Sequence, residues 1–289
     1  MANLPQSISN YLPNILPELN PITAIHSVGG GNISKSFKIS SKNASVFLKL
    51  ESIEKAGMFR SEEKALTILS KKSQFKIPKV KAQDSVGNYC FLVLEYVKMQ
   101  SSTSKPKEFA SLLADLHKNT NNHFGLDHDN FIGNLAQFNH PKEDWLEFYI
   151  RHRLEIQFEL AYNQGYFSST DQRMFSAFCG RLQNFIPKEK SALLHGDLWS
   201  GNYSMDTKGN HVLYDPSIYY GHREMDLAMM KLFGGFSEEV FLQYDRKFPL
   251  EPDWKERIPI HQLYPILVHA NLFGISYIEE AKFIWKRWT

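Results

Sequence analysis

Strand-forming patterns crowd into the first hundred residues, and helical ones fill most of the remaining chain. Few folds accept that order. "ITAIHSVGGGNISKSFKIS" reads as two strands around a glycine turn, and "ASVFLKLES" as a third, rich in β-branched and aromatic residues. "KAGMFRSEEKALTILSKK" sets Phe59, Leu66 and Leu69 near helical spacing. "KVKAQDSVGNYCFLVLEYV" holds two more strands joined at Gly87-Asn88. A short helix is expected over residues 7–19. The polar, proline-containing "KMQSSTSKPKE" then reads as a hinge. Helices are predicted over 107–119, 143–164 and 170–186, interrupted by the strand-rich patch "LLHGDLWSGNYSMDTKGNHVLYDPS". The expectation is an α+β chain of two lobes: a small strand-rich lobe over 1–100 and a larger, mostly helical one over 101–289. Clefts between such lobes commonly take ligands.

Charge and composition exclude several classes. The 33 basic and 31 acidic side chains leave a net charge of +2, too weak a field to suggest nucleic acid or an anionic membrane. Cys90 and Cys179 sit far apart among apolar neighbours and read as buried thiols. The first twenty residues lack a basic head followed by an apolar run, so no signal peptide is expected. "YPILVHANLFGISYI" is too short to span a bilayer and contains His269 and Asn271. A cytoplasmic location is the default.

The chemistry gathers in "LLHGDLWSGN". Phosphoryl transfer needs a group to orient the attacking hydroxyl and oxygen ligands for a metal on the phosphates. Asp197 suits the first role. Asn202, five residues on, offers an amide oxygen to Mg²⁺, a hard cation that prefers oxygen. Asp215 in "VLYDPS" comes after a strand-like run and supplies the second metal ligand. His195 and Gly196 would fix the turn. Asp, Asn and Gly also favour ordinary turns; it is the ordered set Asp197, Asn202, Asp215 that points to a site.

The first lobe would then hold the nucleotide. The turn Gly29-x-Gly31-x-x-Ser34 brings backbone N–H groups, with Gly30 and Asn32, where phosphates can approach. Lys49 in "VFLKL" can reach those phosphates, and a buried lysine needs a counter-charge, which Glu62 or Glu63 supplies. Backbone groups of Glu95, Tyr96 and Val97, just before the hinge, would face adenine.

In this order the motifs resemble the protein-kinase-like fold and, more narrowly, the fructosamine (ketosamine) kinase family, related to aminoglycoside phosphotransferases. "GGGNIS" and "FLKL" resemble its nucleotide loop and lysine strand. "MFRSEEKAL" resembles its glutamate helix and places the lysine partner on Glu62. "FGLDHDNFIG", "DWLEFYIRHRL" and "NLFGISY" resemble further family segments. "HGDLWSGN" followed by "DPSIYYGHREMDLAM" is the most specific match.

The resemblance implies an ATP- and Mg²⁺-dependent transferase that phosphorylates the 3-hydroxyl of fructosamines and ribulosamines, small or borne on glycated proteins, as deglycation repair. It implies that Asp197 orients the hydroxyl, that Asn202 and Asp215 hold Mg²⁺, and that Asp226 braces the loop. Trp199 would stack on the sugar or pack within its lobe. Gly196 replaces an arginine that many protein kinases use to read a phosphorylated loop, and Pro216 replaces a mobile Phe-Gly pair, so a constitutively formed site is expected. Asn32 stands where some relatives carry a cysteine, which leaves no disulfide-linked dimer and favours a monomer. The alternatives are a kinase of the same fold for aminoglycoside- or choline-like alcohols, and a non-catalytic binding module.

Overall fold

The computed structural model describes residues 4–29, 34–100 and 105–288. The chain divides into two compact units, one of Met1–Thr103 with Ser204–Asp215, the other of Ser104–Tyr203 with Pro216–Thr289.

The first unit is built on an antiparallel five-stranded sheet. Helix α1 (Gln6–Ile15) precedes β1 (Ala24–Val28), β2 (Lys35–Ser40) and β3 (Ser45–Ser52); α2 (Ala56–Lys72) comes next, then β4 (Val80–Val86) and β5 (Tyr89–Glu95), in spatial order β1-β2-β3-β5-β4. Side chains alternate across a strand. Val46, Leu48 and Leu50 of β3 therefore share a face, and they pack with Phe37, Ile39, Phe91 and Val93 against Ile8 and Leu12 of α1. The opposite face carries Lys49, whose register partner on β5 is Leu92. Helix α2 packs with β4 and β5 and buries Phe59, Leu66 and Leu69. Glu62 stands three residues after Phe59 and four before Leu66, on that same stripe.

Residues from much later complete this unit. Met205 and Asp206 pair with Gln100 and Met99. Lys76 donates its backbone N–H to the His211 carbonyl and accepts from Leu213 N–H, which leads the chain to Asp215.

The second unit is mostly helical: α3 (Pro106–His117), α4 (Trp145–Tyr149), α5 (Glu155–Asn163), α6 (Ser169–Arg181), α7 (Glu224–Leu232), α8 (Glu238–Lys247), α9 (Trp254–Phe273) and α10 (Ile278–Trp288). Its core gathers Trp145, Phe158, Phe175, Leu263, Leu267 and Trp285 from five of these helices. Between α4 and α5 the helix widens into a π turn, Ile150–Leu154, that buries both Arg153 and Leu154. Arg153 donates to the Phe138 carbonyl and to Asn139 Oδ1, each at 2.6 Å, and stacks over Tyr219.

A two-stranded ladder, Ala192–Leu194 against Tyr219–Gly221, carries the turn after Leu194. The segment after Asp215 is held from below. Asn130 donates to the Ile218 carbonyl and Gln137 to Ser217 Oγ, both at 2.8 Å. No helix among the described residues is long and apolar enough to cross a membrane. Cys90 and Cys179 are free thiols, the first buried and the second half-buried.

Candidate active site

In the first unit Lys49 is 8% exposed and bridges two carboxylates: its Nζ lies 2.6 Å from Glu62 Oε1 and 2.7 Å from Asp215 Oδ1. Burial opposes the charge on Lys49, but the Asp215 and Glu62 carboxylates outweigh it and raise its pKa, so the lysine stays protonated. Burial likewise raises Glu62, against the pull of Lys49; with a permanent cation at hydrogen-bond distance, we take the pair as ionic. Asp215 sits at φ 56°, a left-handed conformation that aspartate tolerates better than most residues. Its side chain remains 43% exposed beside the nearly buried lysine.

Glu95 is engaged elsewhere. Its carboxylate meets Lys76 Nζ at 2.7 Å, and its N–H donates to the Lys79 carbonyl. Burial pushes its pKa up, but the hydrogen bond from Lys76 prevails and holds it below the ordinary value. The Glu95 backbone N–H is therefore committed within the first unit. The Tyr96 ring lies under Lys38 Nζ, 4.3 Å from its centroid. Ser34 is half-buried just before β2; Gly30, Gly31 and Asn32 lie outside the described residues.

In the second unit the turn after Leu194 is clamped from α7. Asp226, 1% exposed, accepts the His195 N–H at 2.8 Å and the Gly196 N–H at 2.9 Å, one on each carboxylate oxygen. His117 Nε2 adds a third bond at 3.2 Å, and its Nδ1 meets the Tyr244 hydroxyl at 2.7 Å. A carboxylate only accepts, so His117 Nε2 carries the proton towards it. Burial drives the Asp226 pKa up, yet the hydrogen bond from His117 and those from the backbone bring it below normal.

Gly196 has φ 83°, and a Cβ there would lie 1.9 Å from the Ser217 carbonyl oxygen. That close approach goes with the bond from Ser217 N–H to the His195 carbonyl, at 2.9 Å. His195 is fully buried, and its Nδ1 faces the Asp197 N–H at 3.3 Å.

Asn202, 5% exposed, directs its side-chain N–H groups at Asp197: 2.8 Å to Oδ2 and 2.9 Å to the carbonyl. Its amide oxygen is then the remaining polar atom of the side chain. Trp199 folds over Gly201, where a Cβ would strike the indole at 2.2 Å, and meets Phe233 edge-on at 5.9 Å.

The structure thus gathers Lys49, Glu62 and Asp215 in one unit, and His195, Asp197, Asn202 and Asp226 in the other. Sequence reasoning missed Lys76, His117 and Tyr244. His117 ends an amphipathic helix, and nothing in its spacing separates it from a core histidine.

A sequence profile described as Fructosamine kinase matches residues 5–288. The chain belongs to the fructosamine kinase family. A fructosamine kinase relative from Enterococcus faecium, named Probable ketoamine kinase, is 35% identical over 268 residues, covering 92% of this chain and 95% of that protein. The Ketosamine-3-kinase of Mus musculus is 32% identical over 282 residues, 86% of this chain and 89% of its own. A crystal structure of a protein assigned as a fructosamine-3-kinase, from Thermobifida fusca, superposes with a TM-score of 0.86 at 29% identity, covering 97% of each chain. An aminoglycoside phosphotransferase shares the fold alone, with a TM-score of 0.61 at 14% identity over 97% of this chain and 98% of its own. The fructosamine kinase fold is thus α+β and protein-kinase-like, with a strand-rich N-terminal part and a helical remainder.

Proposed function

We propose that the protein transfers the γ-phosphoryl group of ATP to the 3-hydroxyl of ketosamines, the fructosamines and ribulosamines formed by glycation. The observation that carries this reading is Lys49 bridged to Glu62 and Asp215, in a chain that also ties Asn202 to Asp197. A scaffold that only docked partners would have no use for a buried lysine between two carboxylates. The resulting 3-phosphate is a good leaving group: elimination of inorganic phosphate with a proton from the neighbouring carbon leaves an unsaturated amino-carbonyl compound, which water then hydrolyses to free the amine.

The donor set fits Mg²⁺. Asp215 offers a part-exposed carboxylate and Asn202 an amide oxygen, both hard oxygen ligands. When bound, the ion neutralises charge on the phosphate oxygens. Lys49, kept cationic by Glu62, would hold the phosphates, with Gly30, Gly31, Asn32 and Ser34 covering them and the backbone near Tyr96 and Val97 against adenine. Asp197 would accept a hydrogen bond from the 3-hydroxyl and aim its oxygen at the γ-phosphorus. As that oxygen forms the new P–O bond and the bond to the bridging oxygen breaks, the hydroxyl proton passes to Asp197 and from there to solvent, and ADP leaves. The transition state is loose, so alignment matters more than a strong base. Trp199 would stack on the sugar. The braces on the turn need no modification, which suits a constitutively formed site; a cytoplasmic monomer completes the proposal.

The test is ATP consumption by the purified chain with a panel of fructosamines and ribulosamines, with and without Mg²⁺. Mg²⁺-dependent turnover of ketosamines is expected. Turnover of aminoglycosides or choline-like alcohols in their place would overturn the substrate assignment, and the absence of any thermal shift with Mg-ATP would overturn the kinase reading.

A further inference from the structure

Lys49, Asp197 and their partners account for the phosphoryl donor and one hydroxyl; a ketosamine also carries a nitrogen and whatever is bonded to it. Asp197 and His269 line one small cavity together with Ile132, Gly196 and Tyr264. From His269 a run of rings continues outward. Its centroid lies 4.8 Å from Phe233, 5.4 Å from Phe273 and 5.3 Å from Tyr277, and Phe233 in turn reaches Trp199. Phe233 is 40% exposed and Phe273 48%. Single exposed aromatics are ordinary, but a contiguous run marks a contact surface, and this one begins at the cavity of the hydroxyl-orienting aspartate.

The rim is uncharged. His269 Nδ1 donates to the Pro265 carbonyl at 2.7 Å, which leaves the lone pair on Nε2, and burial lowers its pKa so that the ring is neutral at pH 7.

We infer that the Phe233–His269–Phe273 rim, which adjoins Trp199, is the subsite for the ketosamine nitrogen and its apolar N-substituent. The inference rests on the ketosamine reading. A ketosamine nitrogen is a secondary amine, protonated near neutrality, and a cation is drawn to an aromatic face. An apolar substituent lying across Phe233 and Phe273 would strip water from rings now half in solvent. The occupant is a small ketosamine of an aromatic or branched aliphatic amine.

The experiment compares N-benzyl- and N-methyl-fructosamine as substrates of the full chain with ATP and Mg²⁺. The wild type should favour the benzyl compound in kcat/KM by about tenfold or more. Phe273→Ser should cut that ratio to about twofold, while Phe273→Leu should keep most of it. Both substrates are read in one preparation, so partial unfolding cancels from the ratio. Equal kcat/KM values in the wild type, or a ratio untouched by Phe273→Ser, would overturn the inference and leave the ketosamine reading standing. Turnover of neither compound would remove both. Dimerisation that Phe273→Ser abolishes without changing the ratio would assign the rim to a second copy of the chain and overturn the subsite.

Discussion

Asn202 donates to Asp197 twice, to its carboxylate and to its carbonyl. The carboxylate that would orient the substrate hydroxyl is thus itself held in place, five residues upstream of its holder. Asp197→Asn replaces an acceptor by a donor facing that amide. Turnover should fall at least about a hundredfold, with ATP affinity by calorimetry nearly unchanged. Asn202→Ala should lower both kcat and Mg-ATP affinity. Equal effects of the two substitutions on ATP binding would contradict the separate roles.

Lys49 carries the second prediction. Lys49→Met leaves Glu62 in a nearly buried place without its cation. Breaking such a pair costs about 3–5 kcal/mol, readable as a lowered urea midpoint. Adding Glu62→Gln should recover part of that stability and none of the activity. Full additivity of the two changes would mean the pair is not coupled.

Asp215→Asn should abolish Mg²⁺-dependent ATP binding while leaving the fold intact, since its side chain is part-exposed. Retained Mg-ATP affinity by calorimetry would deny it the metal.

Gly196→Ala tests the turn. The added methyl meets the Ser217 carbonyl and the backbone sits at positive φ, so a loss of about 3 kcal/mol or more is expected. Gly165, also at positive φ but with open space around it, is the control: Gly165→Ala should cost only about 1 kcal/mol.

Acid should weaken the second unit. His222 and His261 stack at 5.1 Å, and Glu224 accepts from Arg257 and His261, all buried. Burial, reinforced by the neighbouring His261, lowers the His222 pKa to about 4. Burial raises Glu224, but hydrogen bonds from His261 and Arg257 win and bring it to about 2. The unfolded chain therefore binds protons that the folded chain refuses: at His222 between about pH 6.5 and 4, at Glu224 between about 4.5 and 2. Stability should fall as pH drops through each window. The His222 contribution is roughly 3 kcal/mol, and His222→Asn should flatten the melting temperature between pH 7 and pH 4.5.

Much of this was legible because charges sat where hydrophobic residues belong. Lys49 interrupts an apolar strand and is costly there unless paired; the pattern leaves Glu62 and Glu63 open as its partner, and the likeness of "MFRSEEKAL" to the family's glutamate helix chooses Glu62. Asp197, Asn202 and Asp215 were legible as an ordered set, each on a loop next to a strand, where any one of them alone would read as an ordinary turn residue. His117 and Tyr244 were not, since each looks like a core residue until Asp226 is seen between them and the turn. Lys76 was hidden for another reason. It meets Glu95 through a fold of the chain, and its backbone pairs with a strand more than a hundred residues away. Short-range patterns do not encode that register.

The first unit borrows Ser204–Asp215 from beyond most of the second, and this sets an order of events during synthesis. As the chain leaves the ribosome, Lys49 and Glu62 are both made well before Asp215. At about 5–20 residues per second, Asp215 emerges on the order of ten seconds later. A nascent nucleotide half is therefore incomplete until the chemistry-bearing turn has also been made, and neither half can be excised by a single cut.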